Sequence, residues 1–555
     1  MSPSRQIPVP KFGLPLWGAF GLLVVIMSIY LLTASREKPW GDATPVYQVA
    51  ESVVLRGAID IPTPWPPTVP LGRGGKIYAI APFFQSVVHI PGVWLREQVA
   101  TRWPVLTPLL LPWSAHIGPA FLGALTCVLF FCLCRREGVS LFTSIALLAA
   151  LAFGSSIWVY ARYPYSEILQ ALCVTGFFGQ VLAARRDPTV GRILALAVWA
   201  GLLINSKPVF APALPVVAVY WAWDLRHNLR RLIGLGMVGL LGFLPFLGVI
   251  LAYNHARYAA SLSTGYGIGR SVFSASAFFG FWGLFLSPGK SLLLFSPPLF
   301  LAVAALPLFK SNRNAVWSVL LVSVPTSFLY ARFIYWSGDW AWGPRYIVPF
   351  VPVFLFPAAM LLDWTREQAS RIWRWVSVTG VAVVFLWGVA VQIIGNGLYW
   401  DHYIRLSTEV GTRWLGEPNR LGSPAYLPNN CGACFEEMSF MQWVPALSPI
   451  RGQAWLLKHV YNKDEWPVAS KDAPWLDYTN VEVDAVRTYD RARIDWWYRD
   501  YYDKLMPEAM TIFKTLFSSL AFGLVLFCGG LWWSSWRRRL VEPYCDTDEG
   551  EGDAA

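Results

Sequence analysis

Two carboxylates, Asp42 and Glu167, and four cations, Lys76, Lys207, Lys290 and Arg345, stand beside apolar runs on what the charge pattern marks as the outer side of a membrane. A carboxylate can deprotonate an acceptor while cations hold an anionic leaving group, which is the pairing that transfer from a lipid-phosphate donor requires. Each residue also has a plainer reading. Asp42, in Trp40-Gly-Asp42, precedes a segment from Tyr47 to Arg56 with helical apolar spacing, so it equally suits a helix N-cap. Glu167, in Tyr163-Pro-Tyr-Ser-Glu167, opens an apolar run and equally suits the positive end of a helix. Lys76 follows a glycine-rich turn, Gly72-Arg-Gly-Gly-Lys76-Ile-Tyr78.

Two further motifs interrupt apolar runs, and interrupted spans must satisfy their freed backbone groups against protein or a water-filled cavity. Asn205-Ser-Lys-Pro208 is either a tight outer turn or the place where Lys207 meets an anion at membrane depth. Ser287-Pro-Gly-Lys-Ser291 follows a run too short to span, Phe278 to Leu286; it is either an interfacial turn or the start of a helix whose amides and Lys290 face a phosphate. It lacks the glycine spacing of a P-loop. Arg345, in Trp336-Ser-Gly-Asp-Trp-Ala-Trp-Gly-Pro-Arg-Tyr346, faces the wrong side for a topology signal, and a guanidinium pairs bidentately with phosphate oxygens.

The elements that must position these side chains are membrane helices. Only 14% of the 555 residues are charged and 55% are hydrophobic, with a mean hydropathy of +0.43, whereas a water-soluble surface needs about 25% charge. Apolar runs fall at 13–33, 115–134, 140–160, 166–184, 192–205, 209–223, 232–252, 290–309, 315–335, 346–362, 375–395 and 511–534, which predicts an all-α polytopic membrane protein of about twelve spans. The first run is too long for a secretory signal and lacks a small-residue cleavage site, so it reads as a retained helix. Arg135-Arg136, Arg185-Arg186, Arg226 to Arg231, Lys310 to Arg313, Arg366 to Arg374 and Arg537 to Arg539 fall in alternate loops, which places both termini in the cytoplasm. The net charge of +11 is thereby a topology signal, and no nucleic-acid partner is indicated.

This topology leaves a large first outer loop, 34–112, and a polar stretch, 396–510, outside. The chain divides into a transmembrane module (1–400), an extracytoplasmic domain (396–510), a final span (511–534) and a cytoplasmic tail (535–555). Of the eight cysteines, Cys127, Cys132, Cys134, Cys173 and Cys528 read as packing residues, and Cys431 and Cys434 as a structural disulfide or plain thiols rather than a redox pair.

The order of motifs resembles that of the GT-C superfamily of polytopic glycosyltransferases that use polyprenyl-phosphate sugars, the group containing protein O-mannosyltransferases and the aminoarabinose transferase of lipid A. The resemblance covers about residues 10 to 400. It rests on Gly41-Asp42 with Ala50-Glu-Ser-Val-Val-Leu-Arg-Gly57, Gly74-Gly-Lys76-Ile-Tyr78 leading to Ala81-Pro82, Tyr165-Ser-Glu167, Lys207-Pro208, Tyr253-Asn254 with Ser263-Thr-Gly-Tyr266, Ser287-Pro-Gly-Lys290 and Trp342-Gly-Pro-Arg-Tyr346.

The resemblance implies a GT-C-like bundle and an inverting, single-displacement transfer from a polyprenyl-phosphate-linked sugar to a lipid, glycan or protein acceptor in the cell envelope. Asp42 takes the place of the base and Glu167 that of a second acidic residue. Donor phosphate contacts fall to Lys76, Lys207, Lys290 and Arg345, with Tyr78, Tyr266 and Tyr346 as candidate substrate contacts. Many members carry an acidic residue directly after the first-loop aspartate, where this chain has Ala43. No cofactor or metal ligand is assigned, and a divalent cation is left open. The competing readings are a transporter or lipid flippase and an inactive scaffold of envelope assembly.

Overall fold

In lipid a backbone can satisfy its N–H and C=O groups only within a helix or a closed barrel, so apolar runs of this length fold as helices. A computed structural model describes residues 14–35, 37–64, 71–104, 107–265, 270–338, 340–367, 370–404, 407, 440–459, 494–497 and 507–545. The regular elements among these residues are helices, with three isolated bridge pairs and no strand among them. The helices in chain order are α1 (Leu16–Leu32), α2 (Ala43–Arg56), α3 (Phe83–Val87), α4 (Ile90–Arg102), α5 (Thr107–Arg136), α6 (Leu141–Gly154), α7 (Ile157–Ala161) and α8 (Glu167–Arg186). They continue with α9 (Val190–Ser206), α10 (Ala213–Leu225), α11 (Leu229–Tyr258), α12 (Ala277–Leu286), α13 (Leu292–Phe295), α14 (Leu299–Ala304) and α15 (Arg313–Arg332). The last are α16 (Val351–Leu355), α17 (Ala358–Glu367), α18 (Arg371–Gly397), α19 (Phe440–Trp443), α20 (Pro449–His459) and α21 (Pro507–Cys545).

Among the described residues, eight helical stretches are long and apolar enough to cross a membrane, and four shorter apolar helices, α1, α6, α9 and α12, accompany them. The expected run at 290–309 is not one helix. It breaks into α13, α14 and a 3-10 turn, because Pro297 and Pro298 supply no N–H donors and Pro307 interrupts the stretch again. The run at 140–160 likewise breaks between α6 and α7, where Ser156 bonds to Ser296 and to the Phe295 carbonyl.

α8 lies at the centre, buried along nearly its whole length against α5, α9 and α15. Tyr30 of α1 donates to the Ala152 carbonyl of α6 at 2.9 Å. α1 and α21 pack backbone to backbone: a Cβ at Gly21 would sit 2.6 Å from the Gly523 carbonyl oxygen, and one at Gly18 3.1 Å from the Gly530 Cα. Small residues let membrane helices approach this closely.

The basic clusters Arg136, Arg185-Arg186, Arg192 and Arg366 gather at one end of the bundle, where Glu137, Asp224, Asp187 and Ser140 bind them. The opposite end is tied by a buried ion pair. Arg162 donates to Asp495 at 2.7 Å and to the Asn396 carbonyl at 2.9 Å, with both charged side chains 1% exposed. Ser35 donates to the other Asp495 oxygen, and the Trp497 indole donates to the Leu31 carbonyl, so residues 494–497 clip α1, α7 and α18 together. Most of 396–510, including Cys431 and Cys434, lies outside the described residues, as does the tail beyond 545. Cys127, Cys134 and Cys173 are buried, while Cys132 and Cys528 are exposed.

Candidate active site

A cavity of about 530 Å³ opens at the end of the bundle remote from the basic clusters, between α2, the start of α8, the α9–α10 junction and α15. Asp42, Glu167, Lys207, Arg345 and Tyr346 all line it, together with Tyr165, Tyr330 and Gln85. Apolar side chains such as Val46, Ile80, Val209 and Phe333 make up most of the rest of the wall.

Asp42 immediately precedes α2, yet its side chain makes no capping bond; its carboxylate pairs instead with the Arg345 guanidinium, 303 positions along the chain. The cap reading of Asp42 is thereby set aside by geometry. Glu167 occupies the first turn of α8 and is 2% exposed; its Oε1 lies 3.7 Å from Arg345 Nε, and its Oε2 has no hydrogen-bond partner among the described residues. The helix N-terminus favours a carboxylate here, and the same side chain lines the cavity. Arg345 therefore bridges the two carboxylates, one largely exposed and one buried.

Local sequence explains the cation positions. Pro208 disfavours a helical conformation at the preceding residue, so α9 ends at Ser206 and Lys207 is extended, with φ −165° and ψ 124°. The break is held by Asn205, which donates to the Gly201 and Phe246 carbonyls, and by Gln85, which donates to the Ser206 carbonyl at 2.7 Å. Lys207 Nζ then projects over Tyr346 at 4.9 Å and Tyr330 at 5.6 Å, and those two rings stack in parallel 4.8 Å apart. Burial pushes the Lys207 ammonium below its ordinary pKa, partly offset by the Glu167 carboxylate, while the Arg345 charge adds to the depression. No carboxylate reaches Lys207 within ion-pair distance among the described residues.

Arg345 is placed by the loop before it. Gly338 has φ +73°, and a Cβ there would stand 2.8 Å from Arg345 Cγ, so only glycine leaves room for the guanidinium stem. Tyr160 and Tyr165 donate to the carbonyls of Trp342 and Trp340, fastening this loop to the segment that leads into α8. The Arg345 guanidinium also lies 5.5 Å from the Tyr165 ring and 5.0 Å from the Tyr346 ring.

Three other residues read from the sequence are placed elsewhere. Lys76 is exposed and pairs with Asp60 at 3.2 Å, because the turn through Gly74 and Gly75 folds back on the end of α2. Tyr78 is buried, donates to the Arg73 carbonyl and meets the Tyr258 ring; neither it nor Lys76 lines the cavity. Lys290 is 3% exposed and its amide bonds to Ser287 Oγ. The helix expected to begin beside it, α13, has only four residues, and Gly289 is covered by the Gln442 carbonyl and by Ser448. Tyr266 lies outside the described residues. Tyr330, which stacks on Tyr346 beneath Lys207, was not singled out by sequence, since a tyrosine inside a span carries no mark of its role.

Among the described residues no group of three or more His, Cys, Asp or Glu side chains is placed to hold a metal ion.

The class that fold and site define is an all-α polytopic membrane protein with a charged cavity at one end. Among solved structures the chain is similar to ArnT from Cupriavidus metallidurans bound to undecaprenyl phosphate, at 14% identity and a TM-score of 0.46, over 81% of this chain and 79% of that one. It is similar to the same protein in the apo state at 15% identity and a TM-score of 0.42, over the same shares. No protein-family model and no curated protein sequence matches the chain.

Proposed function

We propose that the chain is a membrane glycosyltransferase that moves a sugar from a polyprenyl-phosphate carrier to an acceptor on the extracytoplasmic side. The observation that carries this reading is the meeting of Asp42, Glu167, Lys207 and Arg345 in one cavity, from four distant stretches of chain that share the motif order of GT-C transferases. The side of the membrane follows from the basic clusters at the opposite end of the bundle, which the positive-inside bias assigns to the cytoplasm together with both termini. In this reading residues 1–400 are the catalytic module, and 396–510 form an outer domain that shapes acceptor choice.

In the reaction proposed, an acceptor hydroxyl or amine attacks the anomeric carbon while the bond from that carbon to the phosphate oxygen breaks. The phosphate leaves with the bonding electrons, the configuration inverts, and Asp42 receives the acceptor proton. Lys207 and Arg345 stabilise the charge that develops on the leaving phosphate. Arg345 pairs with Asp42 before the donor arrives, which occupies the carboxylate that would take the proton. A phosphate that draws the guanidinium to itself frees Asp42, so donor binding precedes acceptor activation. Glu167, buried with one unpartnered oxygen, holds the far side of the guanidinium during that exchange.

The test is transfer from a polyprenyl-phosphate sugar by purified protein, with lipid released from the protein identified by mass spectrometry. Transfer with inversion and a co-purifying polyprenyl phosphate support the reading. Flux of the lipid across proteoliposomes without transfer replaces it by the flippase alternative.

A further inference from the structure

A further groove, of about 780 Å³, lies between α10 and α15 at the other end of the bundle. Arg185, at its edge, follows Glu167 on α8 by about 27 Å along the axis at about 1.5 Å per residue, so the groove faces the opposite leaflet from the Asp42 cavity. It takes no part in the chemistry proposed above.

Its composition divides by depth. Val219 and Leu321 form an apolar floor, whereas Arg185, Arg313, Trp223 and Trp317 stand nearer the ends of their helices, at the level where lipid headgroups meet water. Arg185 pairs with Asp224 at 2.8 Å and lies 4.1 Å over the Tyr220 ring. Arg226 lies 4.7 Å over the Trp223 ring on the same rim. Arg313, the first residue of its span, is exposed and forms no ion pair among the described residues. Two guanidinium groups, Arg185 and Arg313, thus line an apolar slot, and among the described residues only Arg185 is paired with a carboxylate.

We infer that this groove holds a glycerophospholipid whose headgroup is net negative, with its phosphate between Arg185 and Arg313 and an acyl chain along Val219 and Leu321. A zwitterionic headgroup brings its own cation to a rim that is already positive and gains less. Free phosphate lacks the chain that would dry the apolar floor.

The experiment uses full-length protein in nanodiscs of equal parts phosphatidylglycerol and phosphatidylcholine, released and weighed intact by native mass spectrometry. Wild-type protein retains phosphatidylglycerol over phosphatidylcholine, and Arg313→Gln lowers that preference about fivefold, the effect of one basic residue at a membrane surface. Val219→Trp, which fills the slot from an exposed position, removes the retained lipid without disturbing the rim. Equal retention of the two lipids by wild type, or an unchanged preference in Arg313→Gln protein of normal elution volume, overturns the inference. Displacement of the lipid by millimolar glycerol phosphate reduces the site to a headgroup contact and overturns the part assigned to the chain. Sugar transfer enters none of these readouts, so this inference and the proposed activity stand or fall separately.

Discussion

Lys207 reaches the cavity over the face of Tyr346, its ammonium 4.9 Å from the ring centre, and that contact places a desolvated cation beside two carboxylates without pairing it to either. Because burial lowers its pKa, Lys207 loses its proton at lower pH than an ordinary lysine, near 10.4 in peptides. An anionic donor favours the charged form, so binding takes up protons. Affinity is therefore greatest below the depressed pKa and falls as pH rises through it. We expect the dissociation constant for a polyprenyl phosphate to increase as pH rises from neutrality toward the ordinary lysine range, over which the phosphate itself is already ionised. Lys207→Arg should flatten that rise, since guanidinium stays charged. Calorimetric titration in detergent gives the answer; a wild-type constant that does not move with pH removes Lys207 from the phosphate site.

Replacement of Asp42 by Asn keeps the size of the side chain and removes its charge. Transfer should fall by about 10²–10⁴-fold, the usual contribution of a general base. Donor affinity should hold or improve, because Arg345 no longer has Asp42 to leave. Single-turnover transfer and equilibrium binding on the same preparation separate the two effects, and full activity in Asp42→Asn protein eliminates the mechanism.

Gly338→Ala tests how Arg345 is held. The added methyl would meet Arg345 Cγ at 2.8 Å from a backbone at φ +73°, which costs on the order of 1–3 kcal/mol if the loop keeps its shape. We expect weaker donor binding together with a modest drop in thermal stability in detergent. If the substitution leaves binding intact, the guanidinium is not fixed by this contact.

The Arg162–Asp495 pair gives a prediction about stability alone. Removing one partner leaves the other charge buried, a loss of about 3–5 kcal/mol, whereas replacing both by apolar residues is often neutral. Arg162→Met should lower the unfolding midpoint markedly, and the double variant Arg162→Met with Asp495→Leu should recover much of it. An equal loss in single and double variants points instead to the Asn396 and Ser35 contacts.

What was legible in the sequence follows from cost. A charge at membrane depth needs a reason, and Asp42, Glu167, Lys207 and Arg345 could be singled out on that ground before their meeting place was known. Their partners could not. Nothing local to Lys76 announces Asp60, and nothing local to Lys290 announces that Gly289 lies under residues 441–448, where a Cβ would stand 2.0 Å from the Met441 carbonyl oxygen. The run at 290–309 misled for a simpler reason: apolarity measures affinity for lipid, whereas Pro297 and Pro298 decide whether the backbone can stay helical there. Tyr330 was illegible because aromatic residues in spans mostly fill space or mark the interface, and only its stacking on Tyr346 distinguishes it.

The glycine seam between α1 and α21 sets a timetable for the ribosome. Gly21 leaves it about 500 residues before Gly523, and at about 5–20 residues per second that interval lasts on the order of half a minute to a minute and a half. Throughout it, a helix shaped to touch another backbone has only lipid, or a temporary escort, along that stripe. A nascent chain arrested before α21 thus leaves an unfilled notch along α1 facing lipid.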